Sequence, residues 1–191
     1  MEETKPNKSE LLFLTLAYNR FYDLQEEFFS AEFWRLSGFH RLSKIKDIFS
    51  IYSEILDYEP VKWTIEQTKA SRPPGEAELA EQYFKFVRNL ISHFPLFESW
   101  DEIWFNRPLV NWSSEGKTID RFIKGNLGKP EVKYRIWEES KKEFTFVTLS
   151  FPSKYEEDKI HLKSMISEKE GVKFALVLMR KVIDTQVERF E

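Results

Sequence analysis

The sequence contains no cysteine and only three histidines. The absence of cysteine excludes disulfides and thiolate metal sites, and it is typical of a reducing compartment. The six glycines form no glycine-rich phosphate loop, and the chain shows neither a Ser–His–Asp arrangement nor the spacing of zinc ligands. We therefore expect no cofactor and no metal site.

Charge and hydropathy set further limits. The formal net charge is −3, so no global field attracts nucleic acid or an anionic membrane, and any such contact needs a local basic patch. No apolar run approaches the roughly 20 residues that a membrane span requires. The charged start MEETKPNKSE is unlike a secretory signal. We predict a cytoplasmic protein without membrane contact.

The 191 residues are enough for one domain with a real hydrophobic core, to which 18 phenylalanines and 6 tryptophans contribute. We predict a mainly α fold in a single domain, 1–191. Its parts are a helical core at about 10–126, a small antiparallel β element at about 131–166 and a closing helix at about 171–190.

Apolar residues at three- and four-residue steps predict the first helices. The first runs from about Glu10 into the thirties, with Ser9 as its cap and Gly38 as its stop. A second covers about 45–56, and Pro60 opens a short third. The predicted inward residues of the first two are Leu14, Tyr18, Phe21, Leu24, Phe28, Ile45, Ile48, Phe49, Tyr52, Ile55 and Leu56.

The sequence SRPPG at 71–75 predicts a loop, and a fourth helix follows it. Because a residue before proline disfavours helical backbone, the Phe94–Pro95 pair should end this helix near His93. The inward stripe of the fourth helix is Leu79, Tyr83, Phe86, Val87 and Leu90.

Two more helical segments are predicted before the pattern changes. SWDEIWF should form a short helix, and 113–126 should form another, capped by Ser113 or Ser114 and stopped at Gly125. Next, VKYRIW alternates with period two, EFTFVTLSF is β-branched and aromatic on both faces, and the intervening EESKK makes a hairpin plausible. KIHLKSMI can add a third strand.

The fourth helix ends with RNLISH, which contains Arg88, Asn89 and His93. Asn89 and His93 are four residues apart and share a helix face, whereas Arg88 and His93 lie about 140° apart on an ideal helix. A histidine in the last turn feels the negative end of the helix dipole, which favours its imidazolium form. This keeps its titration near neutral pH, where proton transfer works best.

The motif of arginine, a polar residue, three further residues and histidine resembles that of HEPN domains. The resemblance implies a HEPN-like helical bundle, a homodimer that brings two motifs together, and metal-independent cleavage of an RNA substrate by a toxin or defence effector. In that family His93 would transfer protons at the ribose 2′-hydroxyl and the leaving oxygen. Arg88 would hold the phosphate, and Asn89 would orient the histidine or bind a phosphate oxygen.

The sequence differs from the motif of one subgroup of this family. HEPN toxins paired with nucleotidyltransferase antitoxins commonly carry a tyrosine two residues after the histidine, and here that position is Pro95. We therefore do not expect this chain in that system, although an antitoxin or another protein partner stays open.

Alternative interpretations of the same residues exist. Arg88 can pair with a carboxylate, His93 can cap the last carbonyl groups, and Asn89 can be solvated. RLSGFH gives Arg35 and His40 the same separation, but it lies across a glycine. The chain can therefore also be a non-catalytic HEPN-derived module that binds RNA, nucleotide or protein, or a helical interaction protein outside the family.

Other residues are weaker candidates for RNA binding or for a metal. An exposed Trp100 could stack on an RNA base. Lys117, Arg121 and Lys124 could form a basic stripe on their helix, although a solvated face is the plainer interpretation. A magnesium site at Glu98, Asp101 and Glu102 is less probable than charges that complement a helix N-terminus.

Overall fold

A computed structural model describes residues 4–71, 74–93, 99–106, 121–138 and 142–190. It is mainly helical, with a small antiparallel β element before the C-terminal helix, as predicted. Two compact units are present. The first comprises Met1–Leu79 with Leu176–Glu191, and the second comprises Ala80–Ala175.

The first unit is built on helices whose inward faces follow the predicted period. They are α1 (Lys8–Phe29), α2 (Gly38–Ile55) and α3 (Glu59–Ala70), with the second part of the C-terminal helix α6 (Glu168–Phe190). The predicted inward residues of α1 and α2 are buried up to Ile55, and Leu56 is half-buried.

The ends of α1 differ from the prediction. Asn7, not Ser9, is the N-cap, because its side-chain oxygen accepts hydrogen bonds from the backbone N–H groups of Ser9 (2.9 Å) and Glu10 (3.0 Å). In return, the Glu10 carboxylate accepts a hydrogen bond from the backbone N–H of Asn7 (2.8 Å). This is a capping box, which satisfies N–H groups that have no partner inside the helix. The helix ends at Phe29, and Gly38 is the first residue of α2 instead of a stop.

Polar contacts hold α6 within the first unit. The Gln186 side-chain amide donates to the Thr64 hydroxyl and to the Pro60 carbonyl (2.6 Å to Pro60), and Arg189 also donates to Thr64 (2.8 Å). Elsewhere the Tyr22 hydroxyl donates to Asp184 (2.7 Å). Because Thr64 and Gln186 are fully buried, these bonds replace water that both groups would otherwise need.

The second unit mixes helices and short strands. Its elements are most of α4 (Pro74–His93), a 3-10 turn (Trp100–Glu102), β1 (Trp104–Asn106), the helical residues 121–126 (α5), β2 (Val132–Glu138), β3 (Glu143–Leu149), β4 (Lys159–His161), a 3-10 turn (Leu162–Ser164) and the first part of α6. An aromatic core joins them: the ring centroids of Tyr83 and Phe174 lie 5.1 Å apart, and those of Phe86 and Phe122 lie 4.6 Å apart.

The hairpin is confirmed, and the third strand lies elsewhere than expected. β2 and β3 pair antiparallel from Val132↔Leu149 to Glu138↔Glu143, whereas β4 pairs with β1. The prediction of a helix over SWDEIWF is therefore correct only for one 3-10 turn, since its last residues form β1. The central residues of EESKK lie outside the described residues.

Two predicted boundaries are corrected. α4 is already helical at Pro74 and Gly75, inside the predicted loop. Gly125 is helical and does not stop its helix. The chain turns at Gly128, whose φ is +70°, a conformation that glycine adopts without strain. Ser113 and Ser114 lie outside the described residues.

In the residues that the structure describes, no helix has both the length and the apolar character of a membrane span.

Candidate functional site

The helix α4 carries the Arg–Asn–His motif, and its inward face fixes how the motif is presented. Tyr83, Phe86, Val87 and Leu90 are fully buried, as the periodicity predicted. Burial also raises the pKa of the Tyr83 hydroxyl well above its ordinary value, so this group stays neutral. α4 is described as helical as far as His93, and the residues that follow it lie outside the described chain. The rotation of the helix about its axis is therefore set by packing at four positions.

Arg88 and Asn89 lie between Val87 and Leu90 of this buried stripe. Arg88 is half-buried, and its guanidinium donates to the Asn89 side-chain oxygen at 3.5 Å, which is long for a hydrogen bond. Asn89 is 9% exposed. Among the described residues, no carboxylate forms an ion pair with Arg88. The salt-bridge interpretation of Arg88 thus gains no support from this part of the chain.

The backbone of His93 is the last described part of α4, and its side chain lies outside the described residues. Because α4 is helical through this residue, positions 88 and 93 lie about 140° apart around the helix axis, and positions 89 and 93 share a face. One copy of α4 therefore offers an arginine and a histidine position on different sides.

The second copy of the spacing, Arg35 and His40, has a structural explanation. Arg35 ends a short 3-10 helix, and His40 stands in the first turn of α2. The His40 ring nitrogen Nδ1 lies 2.7 Å from the hydroxyl of Ser37, the N-cap residue of α2. RNLISH is therefore the better candidate of the two.

Trp100 does not have the exposed ring that stacking on RNA requires, and that prediction is corrected here. The side chain is 1% exposed, and its indole N–H donates to the Ile166 carbonyl at 2.9 Å. A buried tryptophan with a satisfied N–H is a core residue. Trp100 therefore anchors the 3-10 turn that follows the motif.

The basic stripe is described only in part. Arg121 and Lys124 are exposed on α5, and Lys117 lies outside the described residues. The two described members are three residues apart and share one helix face. Their exposure is compatible with phosphate contact and equally with a solvated helix face.

The acidic residues near the motif do not gather around a metal position in the described chain. Asp101 and Glu102 are exposed in their 3-10 turn, and Glu98 lies outside the description. Among the described residues, no group of three histidine or acidic side chains is arranged to hold a metal ion.

Sequence reasoning did not single out an exposed aromatic group on the hairpin. Trp137, Phe144 and Phe146 are 46%, 53% and 58% exposed. A signal was present, because Phe144 and Phe146 stand two residues apart, on the opposite face from Val147 and Leu149. The alternation was visible, but the face that the core would cover was not.

Relatives give no further information on any of these residues. Comparisons of the chain with models of protein families, with curated proteins and with solved structures each returned no match.

Proposed function

We propose that this protein is a HEPN-like, metal-independent endoribonuclease that uses Arg88, Asn89 and His93. The observation that carries the proposal is the state of Arg88: it is half-buried, its guanidinium lies 3.5 Å from the Asn89 side-chain oxygen, and it forms no ion pair among the described residues, in a helix that is described as far as His93. A guanidinium that is not neutralised by a carboxylate can bind a phosphate.

The chemistry needs one attack and two proton transfers. The ribose 2′-oxygen attacks the adjacent phosphorus while a neutral histidine removes its proton. The bond from phosphorus to the 5′-oxygen then breaks, and an imidazolium protonates that oxygen. Arg88 stabilises the negative charge that develops on the phosphoryl oxygens. The products are a 2′,3′-cyclic phosphate and a 5′-hydroxyl.

Two copies of the chain supply these groups better than one. Positions 88 and 93 lie about 140° apart on α4, so the arginine of one copy and the histidine of another can meet more readily at a shared phosphate. Two histidines would also provide a base and an acid. We therefore propose a homodimer as the active form, in the role of a toxin or defence effector with an antitoxin or another protein as a possible regulator.

A second candidate is a HEPN-derived module that binds RNA without cutting it. The same angular separation favours it, because a single α4 does not bring the guanidinium and imidazole positions together. The near-complete burial of Asn89 also suits a structural role for this residue.

The test of cleavage compares matched arginine and histidine variants. Purified wild-type protein is incubated with a labelled RNA in the presence of EDTA, and products are separated on a denaturing gel. We expect Arg88→Ala and His93→Ala to lose about 100-fold or more of the rate, since each removes a group that acts in the transition state. Arg88→Met retains an apolar stem and should lose as much.

The chain provides its own controls. Arg35→Ala and His40→Ala remove the same residue types at the same spacing and should leave the rate unchanged. Circular dichroism shows whether each variant is folded. Wild-type rates in the folded Arg88 and His93 variants would refute the proposal. RNA that is retarded on a native gel but left intact would favour the binding module. A toxin should also slow the growth of its host unless His93 is replaced.

A further inference from the structure

The two strands of the hairpin have faces of opposite character. Tyr134, Val147 and Leu149 are buried on the inward face. Tyr134 packs against Phe174 of α6, with ring centroids 4.4 Å apart. Because an isolated hairpin is only marginally stable, this packing is what fixes the hairpin in the second unit. The outward side chains therefore belong to a hairpin whose inward face is packed against α6.

The outward face of the hairpin combines aromatic rings with positive charge. Its six positions are Lys133, Arg135, Trp137, Phe144, Phe146 and Thr148. The three rings are each about half exposed, and the two cations are exposed as well. The face contains no carboxylate, although the whole chain has a formal charge of −3. Contiguous aromatic surface of this kind marks a binding site more often than chance exposure.

Register brings the charges next to the rings. Arg135 is opposite Phe146 and Trp137 is opposite Phe144 across the strand pair. The Arg135 guanidinium lies over the Phe144 ring at 5.0 Å, and Trp137 meets the same ring edge to face at 5.0 Å. Positions two apart in one strand are separated by about 7 Å. For Phe144 and Phe146 of β3 this is about twice the 3.4 Å between stacked bases, so one base fits between these two rings, while Trp137 already meets Phe144.

We propose that the outward face of the hairpin binds single-stranded nucleic acid by stacking its bases on Trp137, Phe144 and Phe146. Arg135 and Lys133 contact the phosphates. Unpaired bases expose the flat surfaces that such rings require, and a positive flank that follows the backbone is the usual companion of stacking rings. A duplex hides those surfaces. Binding here does not depend on the proposed cleavage at α4, so either proposal can fail alone.

The test measures fluorescence anisotropy with three labelled probes: a twelve-residue oligouridine RNA, an oligothymidine DNA of equal length and an RNA duplex. His93→Ala serves as the background so that the RNA stays intact. We expect either single strand to bind more tightly than the duplex. Trp137→Ala, Phe144→Ala and Phe146→Ala should each weaken single-strand binding about tenfold. Lys133→Ala should reduce the slope of log affinity against log salt by about one.

A matched control is available on α1. Leu12 and Leu16 are 63% and 62% exposed, so the double variant Leu12→Ala, Leu16→Ala removes a similar amount of exposed apolar surface from the first unit. It should leave the affinity unchanged. Arg88→Ala is tested in the cleavage assay and the aromatic variants in the binding assay, which separates this proposal from the proposed cleavage.

Three outcomes would overturn the assignment. The first is an aromatic variant that is folded and binds single strands as tightly as the background protein. The second is equal affinity for the single strand and the duplex, because stacking requires unpaired bases. The third is that the background protein sediments as a dimer, the aromatic variants sediment as monomers, and the RNA affinity is unchanged. The face would then bind a second copy of the protein.

Discussion

The hydroxyl of Thr64 accepts hydrogen bonds from Gln186 and from Arg189, and it donates to the Pro60 carbonyl at 3.3 Å. Thr64 and Gln186 are fully buried, so water cannot replace a lost bond. A donor that is left unpaired in such a place costs more free energy than the bond itself contributes. One small side chain thus satisfies two donors from the C-terminal helix.

We expect Thr64→Val to lower the free energy of unfolding by about 1–3 kcal/mol, because the valine keeps the shape and removes the acceptor. Urea denaturation followed by circular dichroism measures this change. Thr68→Val is the control on the same helix, since the Thr68 hydroxyl donates to the Thr64 carbonyl at 2.9 Å in a partly buried setting. Equal losses in the two variants would contradict the importance of the Thr64 acceptor.

Sequence could identify single residues as helical or apolar, but it could not give their surroundings. The periodicity correctly placed Phe86 and Leu90 in the core. It did not show that Trp100 is buried, because the Ile166 carbonyl that accepts its N–H lies far along the chain. For Arg88, the sequence supplied the motif, and the structure adds its contact with Asn89.

At the scale of elements, α4 and α6 approach closely at Gly171. A Cβ atom at this glycine would lie 2.6 Å from the Tyr83 hydroxyl oxygen, 3.2 Å from Ile166 and 3.3 Å from Trp100. The first distance is well inside van der Waals contact. The Tyr83 hydroxyl also has no hydrogen-bond partner among the described residues. The absence of a side chain at 171 therefore sets how near the two helices can pack.

We expect Gly171→Ala to destabilise the protein by about 1–3 kcal/mol through this overlap, despite the better helix propensity of alanine. Tyr83→Phe removes the hydroxyl that overlaps, and it breaks no described hydrogen bond, so it should be close to neutral. The double variant should then recover part of the loss. A double-mutant cycle by urea denaturation measures the coupling. Purely additive effects would show that the hydroxyl is not the obstacle.

The type of an element could be predicted where its apolar residues kept the helical period over a long segment. The residues at which elements begin and end could not be predicted in this way. The stripe of α1 gave its helix, while its end at Phe29 depends on the Ser30 cap. SWDEIWF shows the opposite case: the segment is short, and pairing of Trp104 with His161 decides that it continues as a strand. Such pairing depends on residues more than fifty positions away, which local pattern does not contain.

Across the whole molecule, buried tyrosines recur in both units. The pKa values of Tyr18, Tyr52 and Tyr83 are raised chiefly by burial, which disfavours the charged phenolate. The pKa of Tyr22 is raised first by burial and then by its hydrogen bond to Asp184. Three of these residues lie in the first unit and one in the second. Each of these tyrosines links folding to the retention of its own phenolic proton.

These shifts predict a loss of stability in alkali. An unfolded tyrosine ionises near pH 10, while the folded ones hold their protons to higher pH. The contribution of the neutral phenols is therefore complete below about pH 10 and is lost as the pH rises towards the folded pKa values. For a fully buried tyrosine such as Tyr52, the loss approaches about 1.4 kcal/mol per pH unit.

Urea denaturation at pH 8, 9.5, 10.5 and 11 measures this loss, and absorbance near 295 nm follows tyrosine ionisation. Some of the seven tyrosines should ionise only as the protein unfolds. Tyr52→Phe combined with Tyr83→Phe should flatten the decline above pH 10, because two of the linked protons are gone. If all tyrosines of the folded protein titrate together near pH 10, these phenols are open to water and the described core packing is wrong.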